Sequence, residues 1–463
     1  MPTTTTQQGS FRALRDDLQT ALLASFPEHV ARIDWSRARI AAHQQHRLSA
    51  LLAHAVEHSR FHARRLRGID TDAVDARDLT QLPVMTKSEM MTELDDVFTD
   101  RRLNRCTAER ALAGAGPGPA TVLGSYLALT SGGSSGQRGV FMLDVPAAVQ
   151  FFGTLVRGLL VRLEAMGGPP PGGLPIAMVA AGSPVHATGI AAPLCEGDTA
   201  LPFRFLSVPV TQPLPEIVDR LNALQAPALY GYPSVLARLA RERQAGRLRI
   251  APMMVTSTSE TCTPELRAAI SEGFGAPLID SFGSSEGLVG ASEPDADVIT
   301  FAEDGCIIEL VDEEYRAVPP GTPCAAVLVT NLGNRLQPLI RYELTDTFVQ
   351  QPAAAGHGHL RARVEGRSDD NFRYGAVTIH PLVIRSVLVR SPDVLEYQVR
   401  QTTSGIDVRA VAERTLDVES LQAQLGAALA RAGLANPDIT VRREPNLARD
   451  PRTGKLRRFV PRR

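Results

Sequence analysis

The chain has 463 residues, with 49 basic and 50 acidic side chains for a net charge of -1, 44% hydrophobic and 21% charged residues. That length allows a large core and two or more domains, and the balanced charge leaves no global field to draw in nucleic acid or an anionic membrane. No apolar run is read as a membrane span, the polar start from Met1 to Gln8 is no secretory signal, and Cys106, Cys195, Cys262, Cys306 and Cys324 show no C-x-x-C, so reduced thiols in a cytoplasm are expected rather than disulfides or zinc.

Residues 1–10 read as a disordered tail, and the pattern from Phe11 to Leu66 is helical. Within it His54, His58 and His62 recur at i, i+4, i+8 and are predicted to share one helical face. No carboxylate or cysteine set accompanies them, so they are read as surface or packing residues rather than metal ligands. Leu82 to Glu89 is a turn followed by a helix, with Thr86 and Glu89 spaced as a capping box. Beyond the loop 114–119 comes the stretch Leu129 to Gly139, with four glycines and four hydroxyl residues between the apolar segments Tyr126–Leu129 and Val140–Leu143. Glycine allows close approach of the backbone to a ligand, and amides with Ser/Thr hydroxyls can surround phosphate oxygens. It lacks the Walker A spacing, and by composition alone it is equally a flexible connector.

Residues 145–165 form an amphipathic helix carrying Phe151, Phe152, Leu155 and Leu159, broken by the Gly/Pro run 167–173. Short apolar strands then alternate with helices: strand Ile176–Ala181, helix Glu216–Leu224, strand Ala228–Tyr230, helix Val235–Gln244, strand Met253–Thr256, a helix opened by Thr263 and Pro264, and strand Pro277–Asp280. This alternation implies an α/β sheet covered by helices on both faces. Tyr230–Ser234, Ser257–Thr261 and Ser281–Gly287 fall at carboxyl ends of strands, where such sheets place their binding loops. Cys306 to Thr330 reads as β. Past residue 366 a smaller unit runs strand (Glu396–Gln401), strand (Asp407–Ala412), helix (Leu421–Arg431), strand (Ile439–Arg443) and a basic tail.

Five segments in this order resemble the adenylate-forming superfamily of acyl-CoA synthetases, and within it the phenylacetate-CoA ligase branch, from about residue 50 to the C-terminus. They are the glycine-rich loop; Ser281-Phe282-Gly283-Ser284-Ser285-Glu286-Gly287; Pro338-Leu339-Ile340-Arg341-Tyr342-Glu343-Leu344-Thr345-Asp346; Gly366-Arg367-Ser368-Asp369-Asp370; and Thr453-Gly454-Lys455-Leu456-Arg457-Arg458. The resemblance implies a large N-terminal domain (1–365) of helix-covered sheets with a β-rich subdomain, and a small, mobile α+β C-terminal domain (366–463).

It also implies chemistry: ATP-dependent activation of a carboxylic acid, aromatic by the aromatic cluster below, to an acyl-adenylate, then transfer to CoA. Thr130, Ser131, Gly132, Gly133, Ser134, Ser135 and Gly136 would hold the triphosphate, with Arg138 supplying charge in place of the family's loop lysine. Ser285 and Glu286 would meet phosphate and Mg²⁺, Asp346 the ribose hydroxyls, and Ser259, Glu260 and Thr261 the adenine side, with Phe282 offering a flat surface to the base and Ser281 replacing a tyrosine or histidine. Arg367 would reach ribose or phosphate. Lys455 would promote the first step by spanning carboxylate and α-phosphate, and Asp369 would be the hinge for the second. Thr345 departs from the glycine expected there.

Phe152, His186, Tyr230, Gly231 and Gly283 are the acyl-pocket candidates, an aromatic cluster that suits a flat acid; each equally reads as core, the better assignment for Phe152 on its helix face, and His186 equally as an exposed loop residue. ATP, Mg²⁺ and CoA are the expected small molecules and no zinc is expected, since Cys306 and Cys324 lack partners at ligand spacing. Neither nucleic acid nor membrane is an expected partner, and a homodimer is allowed. A carrier-protein thiol or an amine as final acceptor, and a non-catalytic nucleotide binder, are the competing readings; retention of Glu286, Asp346, Arg367 and Lys455 argues against the last.

Overall fold

The computed structural model describes residues 4–462 except 117, 132–138, 183, 198–199, 355, 368–369, 389–390, 392–393, 413–415 and 452–453, without the side chains of 4–10 and 382. Helix α1 (Thr4–Ala31) begins within the predicted disordered tail, because no breaker stronger than Gly9 lies between Thr4 and Phe11. Phe11, Leu14, Leu18, Leu22 and Phe26 form its buried stripe. Helices α2 (Arg37–His58) and α3 (Arg60–Arg65) are separated by Ser59, extended at φ -103°, ψ 117°, whose hydroxyl caps α3 through the His62 amide.

That break overturns the single histidine face. His54 and His58 stay paired at 4.4 Å between ring centroids. His62 turns inward, with Nε2 3.0 Å from the Pro338 carbonyl, and burial pushes its pKa down to about 3.

Short helices α4 (Lys87–Thr92), α5 (Leu94–Val97) and α6 (Arg105–Ala113) lead to an antiparallel sheet of β1 (Ala120–Val122), β2 (Tyr126–Thr130) and β3 (Val140–Leu143). Helix α7 (Val145–Ala165), capped by Asp144, is long and apolar enough to cross a membrane by length and composition, contrary to the expectation that no segment is. Its place explains its composition: it lies along α1 so closely that a Cβ on Gly153 would meet the His29 ring at 2.5 Å. Its Arg157 is buried in an ion pair with Asp304 at 2.8 Å.

Next come β4 (Leu174–Ala180), α8 (Ala187–Leu194), β5 (Phe203–Pro209), α9 (Leu214–Leu224), β6 (Ala228–Gly231), α10 (Pro233–Gln244), β7 (Met254–Thr258), α11 (Pro264–Phe274), β8 (Leu278–Gly283), β9 (Val289–Ser292) and β10 (Ile299–Phe301). Strands β11 (Cys306–Val311), β12 (Ala326–Asn331) and β13 (Tyr342–Leu344) form a separate antiparallel sheet, and β14 (Asp346–Gln350) and β15 (Arg361–Arg367) return to the main one. The main sheet is ordered β14-β15-β10-β9-β8-β7-β6-β4-β5, parallel from β5 to β8 and antiparallel beyond. Period-two alternation divides its faces: Ile176, Phe203 and Ala228 join the core with α1 and α7, whereas Ala177, Val179, Leu229 and Val255 join α9, α10 and α11.

The last unit holds hairpin β16 (Phe372–Tyr374) and β17 (Val377–Ile379), α12 (Pro381–Leu388), β18 (Val394–Gln401), β19 (Gly405–Ala412), α13 (Val418–Arg431), β20 (Asp438–Arg443) and β21 (Phe459–Val460). The sequence reading lacked the hairpin, α12 and β21. These residues close a core of their own around Ile384, Val399, Val408, Leu425 and Phe459. The architecture is that of an α/β protein with a large mixed sheet and a small C-terminal α/β unit.

Candidate active site

The parallel half of the main sheet ends in a cavity of about 710 Å³. Its walls are the loop after β7 (Ser259 to Thr263), the end of β8 and its turn (Asp280 to Glu286), Leu344 to Asp346, and Gly366 with Arg367 at the end of β15. Thr86 to Ser88 contribute from the N-terminal region, and Asp450 with Lys455 to Phe459 close it from the C-terminal unit. Ser131, Ser259, Glu260, Thr261, Ser281, Phe282, Gly283, Ser285, Glu286, Asp346, Arg367 and Lys455, drawn from six separate segments, thus share one cavity.

Gly132 to Gly136, Arg138 and the predicted hinge Asp369 lie outside the described residues. The neck of the glycine-rich loop is defined. Thr130 pairs with Val140 across β2 and β3, the Gly139 amide donates to Ser131 Oγ (2.9 Å), and the Ser131 amide donates to the Gly139 carbonyl (3.1 Å). Ser131 lines the cavity; Thr130 is buried behind it, its amide donating to the Val185 carbonyl and its carbonyl accepting from His186 Nδ1 at 3.0 Å.

Several backbones here are held in unusual conformations. Ser259 sits at φ +65°, which turns the chain sharply after β7 and lets the Glu260 amide donate to the Thr258 carbonyl (2.8 Å). Gly287, at φ +103°, abuts the Asn331 side chain, and Asn331 Nδ2 donates to the Glu286 carbonyl at 2.8 Å, so that the turn presenting Glu286 is fixed. Arg341, at φ +50°, is buried and structural: it makes a bidentate pair with Glu309 (3.0 and 2.9 Å) and donates to the Leu82 carbonyl.

Asp346 and Arg367 face each other across the β14–β15 register. Thr345 gives its hydroxyl to the guanidinium of Arg367, accepting from Nη2 at 2.7 Å and Nε at 3.3 Å. The departure from glycine therefore positions the arginine. Phe282 is backed edge-on by Phe301 and Phe348, 5.4 and 5.5 Å between centroids, and borders the cavity. Glu286 is 5% exposed. The buried Tyr342 hydroxyl, without a hydrogen-bond partner among the described residues, feels the charges of both Glu286 and Arg367, and burial pushes its pKa well above the usual tyrosine value. Among the described residues no three His, Cys, Asp or Glu gather as a metal cage. One carboxylate beside polyphosphate oxygens and water is nonetheless the donor set that Mg²⁺ takes, so Glu286 fits that role.

The structure adds Asp280, which the sequence reading passed over. It lines the cavity two residues before Phe282 on β8, and that i, i+2 spacing was the available signal. Its carboxylate accepts from Ser257 Oγ (2.7 Å), lies 3.6 Å from Arg267, and burial raises its pKa to about 6. The acyl-pocket prediction needs correction. Phe152 is in the core against Phe151; the α7 side chain that meets Gly283 is Leu155, whose Cδ2 would lie 3.2 Å from a Cβ there. Gly231 is required by strand packing, since a Cβ would come 2.9 Å from the Val179 carbonyl. Tyr230 rests on Phe205 (6.1 Å), its hydroxyl toward Thr258 and Ser281. Of the five candidates only Gly283 lines the cavity.

Lys455 lies in a loop closed on itself, the Asp450 amide donating to the Lys455 carbonyl (3.0 Å) and the Gly454 amide to the Asp450 carbonyl (2.8 Å). Gly454, at φ +68°, abuts Val210 beyond β5, where any side chain would collide. Nζ is 5.7 Å from the Tyr232 ring centroid. Burial lowers the Lys455 pKa; Glu260 and Asp450 oppose that shift and Arg367 adds to it.

No family model matches the chain. It is 26% identical to the phenylacetate-coenzyme A ligase of Thermus thermophilus over 176 residues, 36% of this chain and 40% of that one. It is 26% identical to that of Pseudomonas putida over 152 residues, 32% of this chain and 35% of that one. The matches span well under half of these relatives. Crystal structures extend the likeness in fold over most of the chain: a 2-hydroxyisobutyryl-CoA ligase in its postadenylation state superposes with TM-score 0.67 at 18% identity, covering 93% of this chain and 91% of that one. In its thioesterification state with CoA the same ligase gives 0.54, and a benzoate CoA ligase of Burkholderia xenovorans gives 0.50 at 19% identity over 75% of this chain and 69% of that one. The fold is that of the adenylate-forming CoA ligases. In sequence, the chain is a distant and partial match to phenylacetate-CoA ligases.

Proposed function

We propose that the protein joins a carboxylic acid to ATP, releasing pyrophosphate, and passes the acyl group of the resulting adenylate to the thiol of CoA. In the first step a carboxylate oxygen attacks the α-phosphorus and the bond to the pyrophosphate oxygen breaks. Lys455 bridges nucleophile and α-phosphate and offsets the charge that builds up on the phosphate oxygens. Asp346 accepts both ribose hydroxyls, Arg367 reaches the ribose or phosphate side, Phe282 covers the base, and Asp280 supplies an acceptor for its exocyclic amine. Glu286 would hold Mg²⁺, which neutralises charge on the departing pyrophosphate when bound. In the second step the C-terminal unit turns away, withdrawing Lys455, and the thiol attacks the acyl carbon as AMP leaves.

The carrying observation is that Lys455 lines the same cavity as Asp346 and Glu286, although over a hundred residues separate it from either. For the acid we favour a flat aromatic one. Behind the cavity wall, Tyr230, packed on Phe205, turns its hydroxyl toward Ser281, and Leu155 abuts Gly283; apolar and aromatic surfaces of this kind hold planar groups by stacking. The test is acid-dependent pyrophosphate release across a panel of aryl and alkyl acids, with CoA, a carrier protein and an amine then offered in turn. Pyrophosphate release with aryl acids, followed by a CoA thioester, is the expected outcome; no release with any acid would leave a nucleotide binder.

A further inference from the structure

The two oxygens of Glu260 are occupied by two different parts of the molecule. Oε2 accepts from the Ser234 amide at 3.2 Å, in the first turn of α10, whose own N-cap residue Tyr232 supplies no side-chain bond. Oε1 accepts from the Leu456 amide at 2.9 Å, immediately after Lys455. The Ser234 hydroxyl accepts from Arg449 Nη1 at 2.9 Å, while Arg449 Nη2 pairs with Glu396 at 2.7 Å, both side chains mostly buried. A continuous chain thus runs from the Leu456 amide through Glu260, Ser234 and Arg449 to Glu396. It grips the lysine loop at both ends, residue 449 and residue 456, and each grip is a bond to the large body.

We propose that Glu260 is a positioning residue: its carboxylate is the receptor on which the lysine-bearing loop docks, and it sets how often the molecule occupies the arrangement that forms the adenylate. The resemblance assigns the Ser259–Thr261 loop to the adenine side mostly through its backbone, which leaves the Glu260 side chain for the lysine loop. Both oxygens are committed to amides, and the helix N-terminus it caps favours a negative charge. Any turning of the C-terminal unit must break the Leu456 and Arg449 bonds, so the latch stabilises one arrangement and not the other. A charge is suited to this because charge-assisted bonds are strong when desolvated yet exchange readily for water on opening.

The inference rests on the adenylation reading, and the full-length protein tests both. Acid-dependent pyrophosphate exchange reports adenylation; thioester formation from supplied acyl-adenylate and CoA reports transfer. Glu260→Gln should lower exchange relative to transfer by about 10- to 100-fold, with KM for ATP moved less than about threefold. Arg449→Ala, reaching the same chain from the other side, should give the same split, and the double variant should lose little more than the worse single one. If Glu260→Gln fails to fold, Arg449→Ala and Ser234→Ala carry the test. A raised KM for ATP with an unshifted ratio of the two half-reactions, or fully additive losses, would overturn the latch. Wild-type protein without exchange removes the adenylation reading and the latch with it; active wild type with an unshifted ratio in these variants removes the latch alone.

Discussion

Around Leu236 on α10 the neighbours are apolar: Val179, Val208, Tyr232, Leu239 and Phe274 belong to one buried cluster between the main sheet and its helices. Where residues 449–456 meet the large body, the contacts are an amide on the Glu260 carboxylate, a guanidinium on the Ser234 hydroxyl of α10, and a glycine against Val210. Arg385 adds an ion pair to Glu265 at 3.5 Å. The first region is held by close packing, which does not come apart in pieces. The second is held by a few directional polar contacts that water can replace. On the proposed reading, the scaffold of the candidate nucleotide site is thereby permanent, and the delivery of Lys455 is reversible.

The sharpest way to separate the two regions is Lys455→Ala. Adenylation should fall roughly 10²- to 10³-fold, far more than transfer from supplied adenylate, with the thermal midpoint little changed. Equal loss of both half-reactions would make the lysine part of the scaffold. Leu236→Ala attacks the other region: the side chain is fully buried, so unfolding free energy should drop by about 2–5 kcal/mol. Both half-reactions should then decline together, only as the folded fraction does.

Asp280 stands between the regions, in the scaffold yet on the cavity wall. Its carboxyl is raised from 3.8 to about 6. Below 3.8 it is protonated whether folded or unfolded and burial carries no penalty. As pH rises the unfolded chain loses the proton first, so folding stability falls until about pH 6 and the penalty is complete above it. Asp280→Asn should therefore gain stability over wild type between pH 4 and pH 7, by at most on the order of 2–3 kcal/mol. Denaturation midpoints at the two pH values measure this, and an unchanged difference would contradict it. The smallest effect belongs to Arg385→Ala, because Glu265 is 43% exposed. Less than about 1 kcal/mol is expected, seen as a change in exchange rate of a few-fold that fades as salt rises.

Much of the scaffold could be read from residue pattern. Thr263 before Pro264 announced α11, and the alternation of apolar runs with amphipathic helices announced the parallel strands. The irregular connections were harder. Ser59 splits a continuous helical periodicity because its hydroxyl caps the next helix and binds the Asp96 carbonyl (2.8 Å), a partner 37 residues away. At the candidate site, motif order gathered Phe282, Glu286, Asp346 and Arg367. It missed Asp280, whose carboxylate is notable only once buried, and it chose Phe152 over Leu155, since helical periodicity alone does not say which side of α7 meets Gly283.

By itself, then, the sequence determined the elements and the cast of polar residues, because period, caps and glycine positions are local properties of the chain. Only the tertiary structure decided which partners those residues serve. Glu260 binding Leu456, Thr345 holding Arg367 and Gly454 meeting Val210 join positions 22 to 244 residues apart. Side-chain hydrogen bonds and contacts at such separations depend on how whole layers pack, and that information lies in no single stretch of the chain.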